Sequence, residues 1–271
     1  MEMTVLLEGL CFPEGPRWHE ERLWFSDMQG KRVIALDMAG NAETVVEVEN
    51  LPSGLGWLPQ GDLLIVSMKD RLLLKFDGTS LSTHADLHEL TDFLCNDMVV
   101  DKEGYAYVGN FGCDLFGGEE PVPTNMFIVT PSGEASVVAE DLVFPNGAVI
   151  TPDGKALIVA ETFANRLTAF DIKEDKTLEN RRIWASLEGY HPDGIALAPD
   201  GQIWVATPLT DNFIRVKEGG EITAEVKLDR GAFACAIGGE NNDILFVCTA
   251  KTFDPEETVA LKSGRIETMN L

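Results

Sequence analysis

The chain has 271 residues, 45% of them hydrophobic, and a formal net charge of −24 at pH 7. This hydrophobic fraction excludes a disordered protein, and no uninterrupted apolar stretch approaches the roughly 20 residues that span a membrane. The negative charge argues against nucleic acid and anionic membranes as partners, because both are negatively charged themselves.

One sequence unit recurs six times along the chain and uses nearly all of it. Its clearest copy is PDGIALAPDGQIWVAT at 192–207, in which an acidic residue beside glycine precedes an apolar segment, a turn and a β-rich run. Equivalent positions in successive copies are 39 to 50 residues apart, as expected for four-stranded propeller blades. The sequence therefore predicts an all-β protein, a six-bladed β-propeller with four-stranded antiparallel blades around a central channel, as a single domain over residues 1–271. The six equivalent positions, called anchor positions below, are Glu14, Ser53, Asn96, Asn146, Asp193 and Phe233.

The first predicted strand, at residues 3–10, precedes the first anchor position and therefore needs a partner strand from elsewhere in the chain. The last segment, residues 264–271, is the candidate. Pairing the two within one blade would close the ring and hide the edge strands that an open array exposes.

Strands and turns alternate within each copy in the order expected for a blade. The fourth copy shows this with predicted strands at 147–150, 156–160, 166–172 and near 182–186. The sequence Pro-Asp-Gly at 152–154 and 199–201 is typical of turns, because Gly readily adopts positive φ and the Asp side chain can hydrogen-bond to the turn backbone. We therefore assign Asp153 and Asp200 to turns, whereas Asp193 lies at an anchor position.

Three segments depart from this strand pattern. Residues 110–125 are rich in glycine, proline and acidic residues, and we expect a long loop that is either a lid over a site or surface padding. Residues 85–94 are the best candidate for a helix. Residues 254–261 are either a loop or a short helix.

The anchor positions indicate a metal site. Innermost strands line the channel of a propeller, so equivalent residues of successive blades form a ring about the axis. Two carboxylates (Glu14 and Asp193) and two amides (Asn96 and Asn146) would meet there, and a divalent cation would offset the cost of burying the charges. Such ligands suit Ca²⁺, Mg²⁺ or Mn²⁺ without excluding Zn²⁺ or Fe²⁺, and they leave coordination positions open for water and substrate. A single Asn-Gly or Asp-Gly is more often a turn; the matched positions in different blades are what favour a metal.

Four motifs occur in a fixed order around these positions: Phe-Pro-Glu-Gly-Pro at 12–16, Asn-Asp at 96–97, Pro-Asn-Gly at 145–147 and Pro-Asp-Gly at 192–194. With them the sequence resembles, over nearly its whole length, the senescence marker protein/gluconolactonase family of regucalcin-like six-bladed propellers. The resemblance implies one divalent metal ion, with calcium as the first candidate, held by Glu14, Asn146 and Asp193. It implies Asn96 as a further ligand or as a residue that orients substrate. It also implies hydrolysis of a lactone, often a sugar lactone, with Asp193 handling the proton and the metal activating the water.

Two departures from the family pattern predict a less polar substrate than a sugar lactone. Leu94 stands where relatives that act on sugar lactones commonly carry arginine, and Met98 stands where glycine often follows the Asn-Asp pair. Together with Phe233 at the sixth anchor position, they predict a more apolar pocket. His191 lies two residues before Asp193 and is a candidate substrate contact and proton shuttle, with a structural or exposed role as the alternative.

We therefore predict a metal-dependent lactone or carboxylic-ester hydrolase that acts on a small molecule, as a monomer or homodimer. Two other functions stay open: a metal-binding or interaction propeller without catalysis, and a related hydrolase of phosphotriesters or other esters. The N-terminus lacks the basic region of a signal peptide, and the five cysteines lack CxxC spacing, so we expect reduced thiols in a cytoplasmic protein.

Overall fold

The computed structural model describes residues 3–271 and arranges their 24 strands in six sheets of four. Every pairing between neighbouring strands for which a register is defined is antiparallel. The predicted six-bladed propeller with four-stranded antiparallel blades is therefore confirmed.

The strands agree closely with the predicted alternation. Up to the third blade they are, in chain order, β1 (Thr4–Leu10), β2 (Pro13–His19), β3 (Arg22–Asp27), β4 (Arg32–Leu36), β5 (Ala42–Glu47), β6 (Pro52–Trp57), β7 (Leu63–Ser67), β8 (Leu72–Phe76), β9 (Leu81–Asp86), β10 (Cys95–Val100), β11 (Ala106–Asn110), β12 (Pro123–Val129) and β13 (Ala135–Val143). The rest are β14 (Pro145–Ile150), β15 (Ala156–Glu161), β16 (Arg166–Ile172), β17 (Leu178–Ser186), β18 (Ile195–Leu197), β19 (Ile203–Thr207), β20 (Asn212–Val216), β21 (Ile222–Lys227), β22 (Gly231–Gly238), β23 (Ile244–Ala250) and β24 (Gly264–Asn270).

The ring is closed by strands from both ends of the described chain. Blades 1 to 5 each consist of four consecutive strands, the innermost being β2, β6, β10, β14 and β18. Blade 6 has the order β22-β23-β24-β1, and β1 pairs with β24 from Thr4 opposite Thr268 to Leu10 opposite Gly264. The predicted pairing of residues 3–10 with residues 264–271 is thus confirmed.

The apolar core lies between neighbouring blades. Leu64 and Val66 of blade 2, for example, belong to the same buried cluster as Met98 and Val108 of blade 3. Alternate residues of each middle strand face the two neighbouring blades, so these strands are buried on both faces. All five cysteines are buried and have free thiols.

Successive innermost strands approach one another closely around the axis, which explains the glycine beside most anchor positions. A Cβ added at Gly147 would lie 2.6 Å from the Cα of Gly194, and one added at Gly194 would lie 2.5 Å from the Cα of Ala234. No side-chain carbon fits at such distances, so a larger residue would push neighbouring blades apart.

The innermost strands are irregular where they carry the anchor positions. Register shifts fall next to the anchor position in blades 1, 2, 3, 4 and 6. In blade 5 the innermost strand begins only at Ile195, two residues after Asp193. A bulge bends a strand and re-aims its side chains, so the anchor residues need not follow the two-residue alternation of a regular strand.

The helix predicted at residues 85–94 is wrong. Its first residues belong to β9, which pairs with β8, and the next residues form turns in which the Leu90 and Thr91 N–H groups donate to the Leu87 carbonyl. Strand pairing within the blade therefore outweighs local helix propensity.

The short-helix alternative for residues 254–261 is the one observed. Helix α1 (Pro255–Leu261) begins after Asp254, whose side chain accepts hydrogen bonds from the N–H groups of Glu256 and Glu257. This is a standard N-cap, and proline at the first helical position needs no N–H partner. Among residues 3–271 no helix has both the length and the apolar character needed to cross a membrane.

Candidate functional site

Five of the six anchor residues line one cavity of about 270 Å³ at the upper face, the face on which the innermost strands begin. All five are nearly buried. Ser53 is also buried but does not line the cavity, and its carbonyl accepts a hydrogen bond from the Ser26 hydroxyl at 2.6 Å. The structure therefore brings together most of the residues that the repeat alignment selected, namely Glu14, Asn96, Asn146, Asp193 and Phe233.

A larger depression than this cavity lies elsewhere. It has a volume of about 1200 Å³ and is formed by the β14–β15 and β16–β17 turns. It contains Asp153, which accepts hydrogen bonds from the Thr151 hydroxyl and the Lys155 N–H, as expected for a turn residue. Size alone therefore does not identify the functional site of this propeller.

The backbone of Asp193 is fixed by its neighbours in two blades. Its N–H donates to the Ala206 carbonyl at 2.9 Å, and the Gly194 N–H donates to the Phe233 carbonyl at 2.8 Å. The Ala206 N–H in turn donates to the Gly194 carbonyl at 3.0 Å. These bonds hold the Asp193 side chain in the cavity although the residue lies outside a regular strand.

The pKa values of the two cavity carboxyl groups, Glu14 and Asp193, are both raised. Burial raises the pKa of Glu14 to about 8; the Gly15 N–H and Arg17 oppose this rise, and the Asp97 charge adds to it. Burial also raises the pKa of Asp193 well above its usual value, and the charges of Glu14 and Asp97 act in the same direction. Without a cation, this site therefore favours protonated carboxyl groups.

An ion pair across the channel was not predicted from the sequence. Arg17 of blade 1 donates to Oδ1 of Asp97 in blade 3 at 2.8 Å, and it also donates to the Met98 carbonyl. Asp97 stands where glycine follows four of the five other anchor positions. The signal available in the sequence was a pair of opposite charges in two predicted buried strands. Because Arg17 is paired with Asp97, Glu14 and Asp193 have no ion pair of their own within residues 3–271.

The two amides are oriented by their N–H₂ groups. Nδ2 of Asn96 donates to the Pro145 carbonyl at 3.5 Å, and Nδ2 of Asn146 donates to the Thr162 hydroxyl at 3.2 Å. Within the described chain, neither side-chain oxygen accepts a hydrogen bond. Both oxygens thus have acceptor capacity left for a ligand.

The chemistry of this donor set fits a divalent cation. Two buried carboxylates without a counter-ion and two amide oxygens are hard ligands of the kind that Ca²⁺ takes. No group of three or more His, Cys, Asp or Glu residues arranged to hold a metal occurs in the part of the chain that the structure describes. A metal at this position would therefore depend on the amides as well as on the carboxylates.

Phenylalanine dominates the rest of the cavity wall. The ring centroids of Phe12 and Phe233 are 4.6 Å apart, and Phe144 lies 4.5 Å from Phe111 and 5.0 Å from Phe163. Of the 14 phenylalanines in the chain, half line this one cavity, which makes its wall strongly apolar. They are Phe12, Phe111, Phe116, Phe144, Phe163, Phe233 and Phe253.

The irregular segment within residues 110–125 forms part of this wall. Strand β11 ends at Asn110 and β12 begins at Pro123, and between them Phe111, Leu115 and Phe116 line the cavity. This placement favours the lid interpretation over surface padding.

Two predicted substrate contacts lie outside the cavity. Leu94 lines an adjacent cavity of about 650 Å³. The ring of His191 packs 6.1 Å from that of Phe163, and its Nδ1 lies 3.2 Å from Nδ2 of Asn165. His191 was predicted from its sequence distance to Asp193, and Leu94 from the position at which relatives carry arginine. The irregular backbone near the anchor positions breaks the regular alternation of side chains. Of the three residues from which an apolar pocket was predicted, only Phe233 belongs to this wall.

Comparison with known proteins places the chain in a family. The family model described as the SMP-30/Gluconolactonase/LRE-like region matches residues 12–251. Regucalcin from Xenopus laevis is 27% identical over 260 residues, which cover 91% of this chain and 85% of the relative.

Solved structures of similar fold include a gluconolactonase from Xanthomonas campestris, with 22% identity, a TM-score of 0.78 and coverage of 99% of this chain and 89% of that one. A calcium-binding protein, regucalcin, from Agrobacterium tumefaciens has 20% identity, a TM-score of 0.82 and coverage of 98% and 92%. At these identities the structural likeness shows the fold alone, whereas the family match spans most of the sequence. The chain belongs to the SMP-30/gluconolactonase/LRE-like family.

Proposed function

We propose that this protein is a divalent-metal-dependent hydrolase that opens lactones or esters of low polarity. The observation that carries the proposal is the set of two buried carboxylates and two buried amides in a cavity whose other lining residues are mainly apolar. Family membership supports it, because gluconolactonase is part of the family description.

The candidate ligands are Glu14, Asn146 and Asp193, with Asn96 as a fourth ligand or as a residue that orients substrate. A divalent ion bound there supplies Lewis-acid polarisation of a carbonyl group and increases the acidity of water. Calcium is the first candidate because all donors are oxygen atoms and because the Agrobacterium tumefaciens relative is described as calcium-binding. Zn²⁺, Mn²⁺, Mg²⁺ and Fe²⁺ are the alternatives to be tested.

The protein's own residues supply proton transfer, orientation and exclusion of water. Hydrolysis adds water across the acyl C–O bond: the hydroxyl joins the carbonyl carbon, and the proton ends on the released ring oxygen. Asp193 is the proposed carrier of that proton, held in place by the backbone bonds on either side of it. The phenylalanine wall keeps bulk water from the reacting group, which strengthens electrostatic interactions inside the cavity.

The test compares wild type with Asp193→Ala on a panel of lactones and aryl esters, after chelation and after addition of each metal. We expect Asp193→Ala to abolish metal-dependent turnover while the circular dichroism spectrum stays that of a folded propeller. Asp200→Ala is the matched control, because Asp200 lies in a second Pro-Asp-Gly sequence at an exposed turn, and it should retain activity. Wild-type turnover that survives exhaustive chelation would contradict the proposal.

The same panel separates the two alternative functions. A non-catalytic metal-binding propeller would bind the ion in a calorimetric titration and hydrolyse nothing. A phosphotriesterase would turn over phosphotriesters faster than lactones under the same metal conditions.

A further inference from the structure

The adjacent cavity lies directly beside the first cavity at the upper face. The two cavities have two lining residues in common, Gln29 and Phe116. The rest of the adjacent lining has six apolar and four charged residues, most of them from the β9–β10 connection, the segment between β11 and β12, and helix α1. Its apolar members are Leu51, Phe93, Leu94, Cys113, Pro255 and Val259.

Gln29 has an unused acceptor at this junction. It lies in the turn between β3 and β4, and its Oε1 is buried without a hydrogen-bond partner from residues 3–271. Leaving a buried amide oxygen without a donor is unfavourable, and most such groups in folded proteins are paired. The Gln29 side chain lines both cavities, so a small rotation of its buried amide group would present Oε1 to a ligand N–H or O–H group positioned between them.

Phe116 presents an apolar surface at the same junction. This residue belongs to the segment between β11 and β12, is 46% exposed, and its ring lies 6.3 Å from the ring of Phe111 in the first cavity. An apolar chain that passed Gln29 would cover this ring, and the burial of apolar area would favour binding.

The charged residues of the adjacent cavity do not require an ionic ligand. Lys31 pairs with Glu49 at 2.7 Å, and Arg71 lies 3.8 Å from Asp92. The lining contains two lysines and two aspartates, so their formal charges cancel: Lys31, Lys69, Asp92 and Asp114.

We propose that the substrate has two parts and spans both cavities. Its reacting ring lies in the first cavity, a hydrogen-bond donor attached to that ring meets Oε1 of Gln29, and an apolar arm extends into the adjacent cavity. A lactone with an acylamino substituent next to the carbonyl has these three parts in this order. The inference rests on the proposed hydrolase function and deepens it by defining the substrate class.

The experiment uses α-acylamino-γ-butyrolactones with short and long acyl chains, and α-alkyl-γ-butyrolactones of matched length that lack the N–H donor. In wild type, kcat/KM should rise with acyl chain length. Val259→Trp, which fills the adjacent cavity from α1, should lower the long-to-short ratio of kcat/KM about tenfold. Leu261→Trp is the matched control, because it is exposed on the same helix and lines neither cavity. It should leave the ratio unchanged.

The donor contact is tested separately with Gln29→Met, which preserves side-chain length and removes the amide. This variant should lower the acylamino-to-alkyl ratio of kcat/KM about tenfold, the size expected for loss of one hydrogen bond. A wild-type kcat/KM independent of chain length, or equal effects of Val259→Trp and Leu261→Trp, would overturn the inference.

Failure of the proposed function can be told apart from failure of this inference. If no lactone is hydrolysed, the corresponding lactams measure binding alone by isothermal titration calorimetry. Their dissociation constants should then show the same dependence on chain length and on Gln29. If lactam affinity depends neither on chain length nor on Gln29, the inference that the substrate spans both cavities is wrong, whether or not lactones are hydrolysed.

Discussion

Metal binding to this site should release protons, because the metal-free protein keeps Glu14 protonated near neutral pH. Burial raises the pKa of Glu14 to about 8, and a metal binds the deprotonated carboxylate. At pH 7, Glu14 should therefore give up about one proton per ion bound, and metal affinity should rise about tenfold per pH unit between roughly pH 5 and 8. Asp193, whose pKa is also raised, should add to the release.

The same shift makes the metal-free protein less stable as pH rises. The unfolded chain loses the Glu14 proton near the ordinary pKa of 4.5, whereas the folded protein holds it until about pH 8. The stabilisation that comes from the Glu14 proton is therefore fully present below pH 4.5. It decreases by about 1.4 kcal/mol per pH unit as the pH rises to about 8. Glu14→Gln has no proton to lose at this position. The free energy of unfolding of this variant should therefore decrease less steeply with pH, by about 1.4 kcal/mol per pH unit.

Two measurements check this prediction. Calorimetric titration with Ca²⁺ at pH 7, in buffers of different protonation enthalpy, counts the protons released. Urea unfolding of the metal-free protein between pH 5.5 and 8 gives the stability slope for wild type, for Glu14→Gln and for the control Glu20→Gln, whose side chain is exposed. Zero proton release, or the same slope in wild type and Glu14→Gln, would refute the reasoning.

Three further predictions concern single contacts. Arg17→Met should lower the free energy of unfolding, measured with urea, by about 3–5 kcal/mol, because it leaves the buried Asp97 carboxylate unpaired. If the double variant Arg17→Met/Asp97→Asn lost the exact sum of the two single losses, that result would argue against the ion pair. Gly194→Ala should cost about 1–3 kcal/mol in the same assay, because its Cβ would lie 2.5 Å from Ala234, and wild-type stability would show that the blades can move apart. Phe163→Ala should lower kcat/KM for an apolar lactone more than for a sugar lactone, and equal losses would contradict apolar recognition by this wall.

The blade architecture was predictable because each blade repeats the same local chemistry. In four of the six copies an oxygen-bearing residue beside glycine marks the start of an innermost strand, and in two copies a Pro-Asp-Gly turn, at 152–154 and 199–201, marks its end. Closure by residues 3–10 and 264–271 followed from the unpaired strand that the repeat count left at each end. The helix at 85–94 was mispredicted because a local pattern competes with strand pairing from the rest of the blade.

The candidate site was predictable only where it is part of that repeat. Equivalent positions such as Asn146 and Asp193 converge on the axis because the blades do. His191 was chosen as a sequence neighbour of Asp193, and Leu94 was chosen from the family pattern. Both lie outside the cavity, because residues near an anchor position in sequence can separate from it in space where the backbone is irregular. Gln29 was missed for a related reason: it lies in a turn whose position over the cavity depends on the ring as a whole.

The candidate metal ligands and the cavity rim come from two different kinds of element, innermost strands and upper-face turns. The oxygen-bearing residues lie on innermost strands or, for Asp193, two residues before one. These parts of the chain contact one another backbone to backbone, as the close approach at Gly194 shows, so the positions of the oxygen-bearing residues are tied to the stability of the ring. The cavity rim lies on turns of the upper face, where Phe116, Leu209 and Phe253 are about half exposed. Substitutions in these turns remove few buried contacts and should cost little stability. Under the proposed function, substrate preference would therefore change through these turns while the candidate metal ligands stay in place.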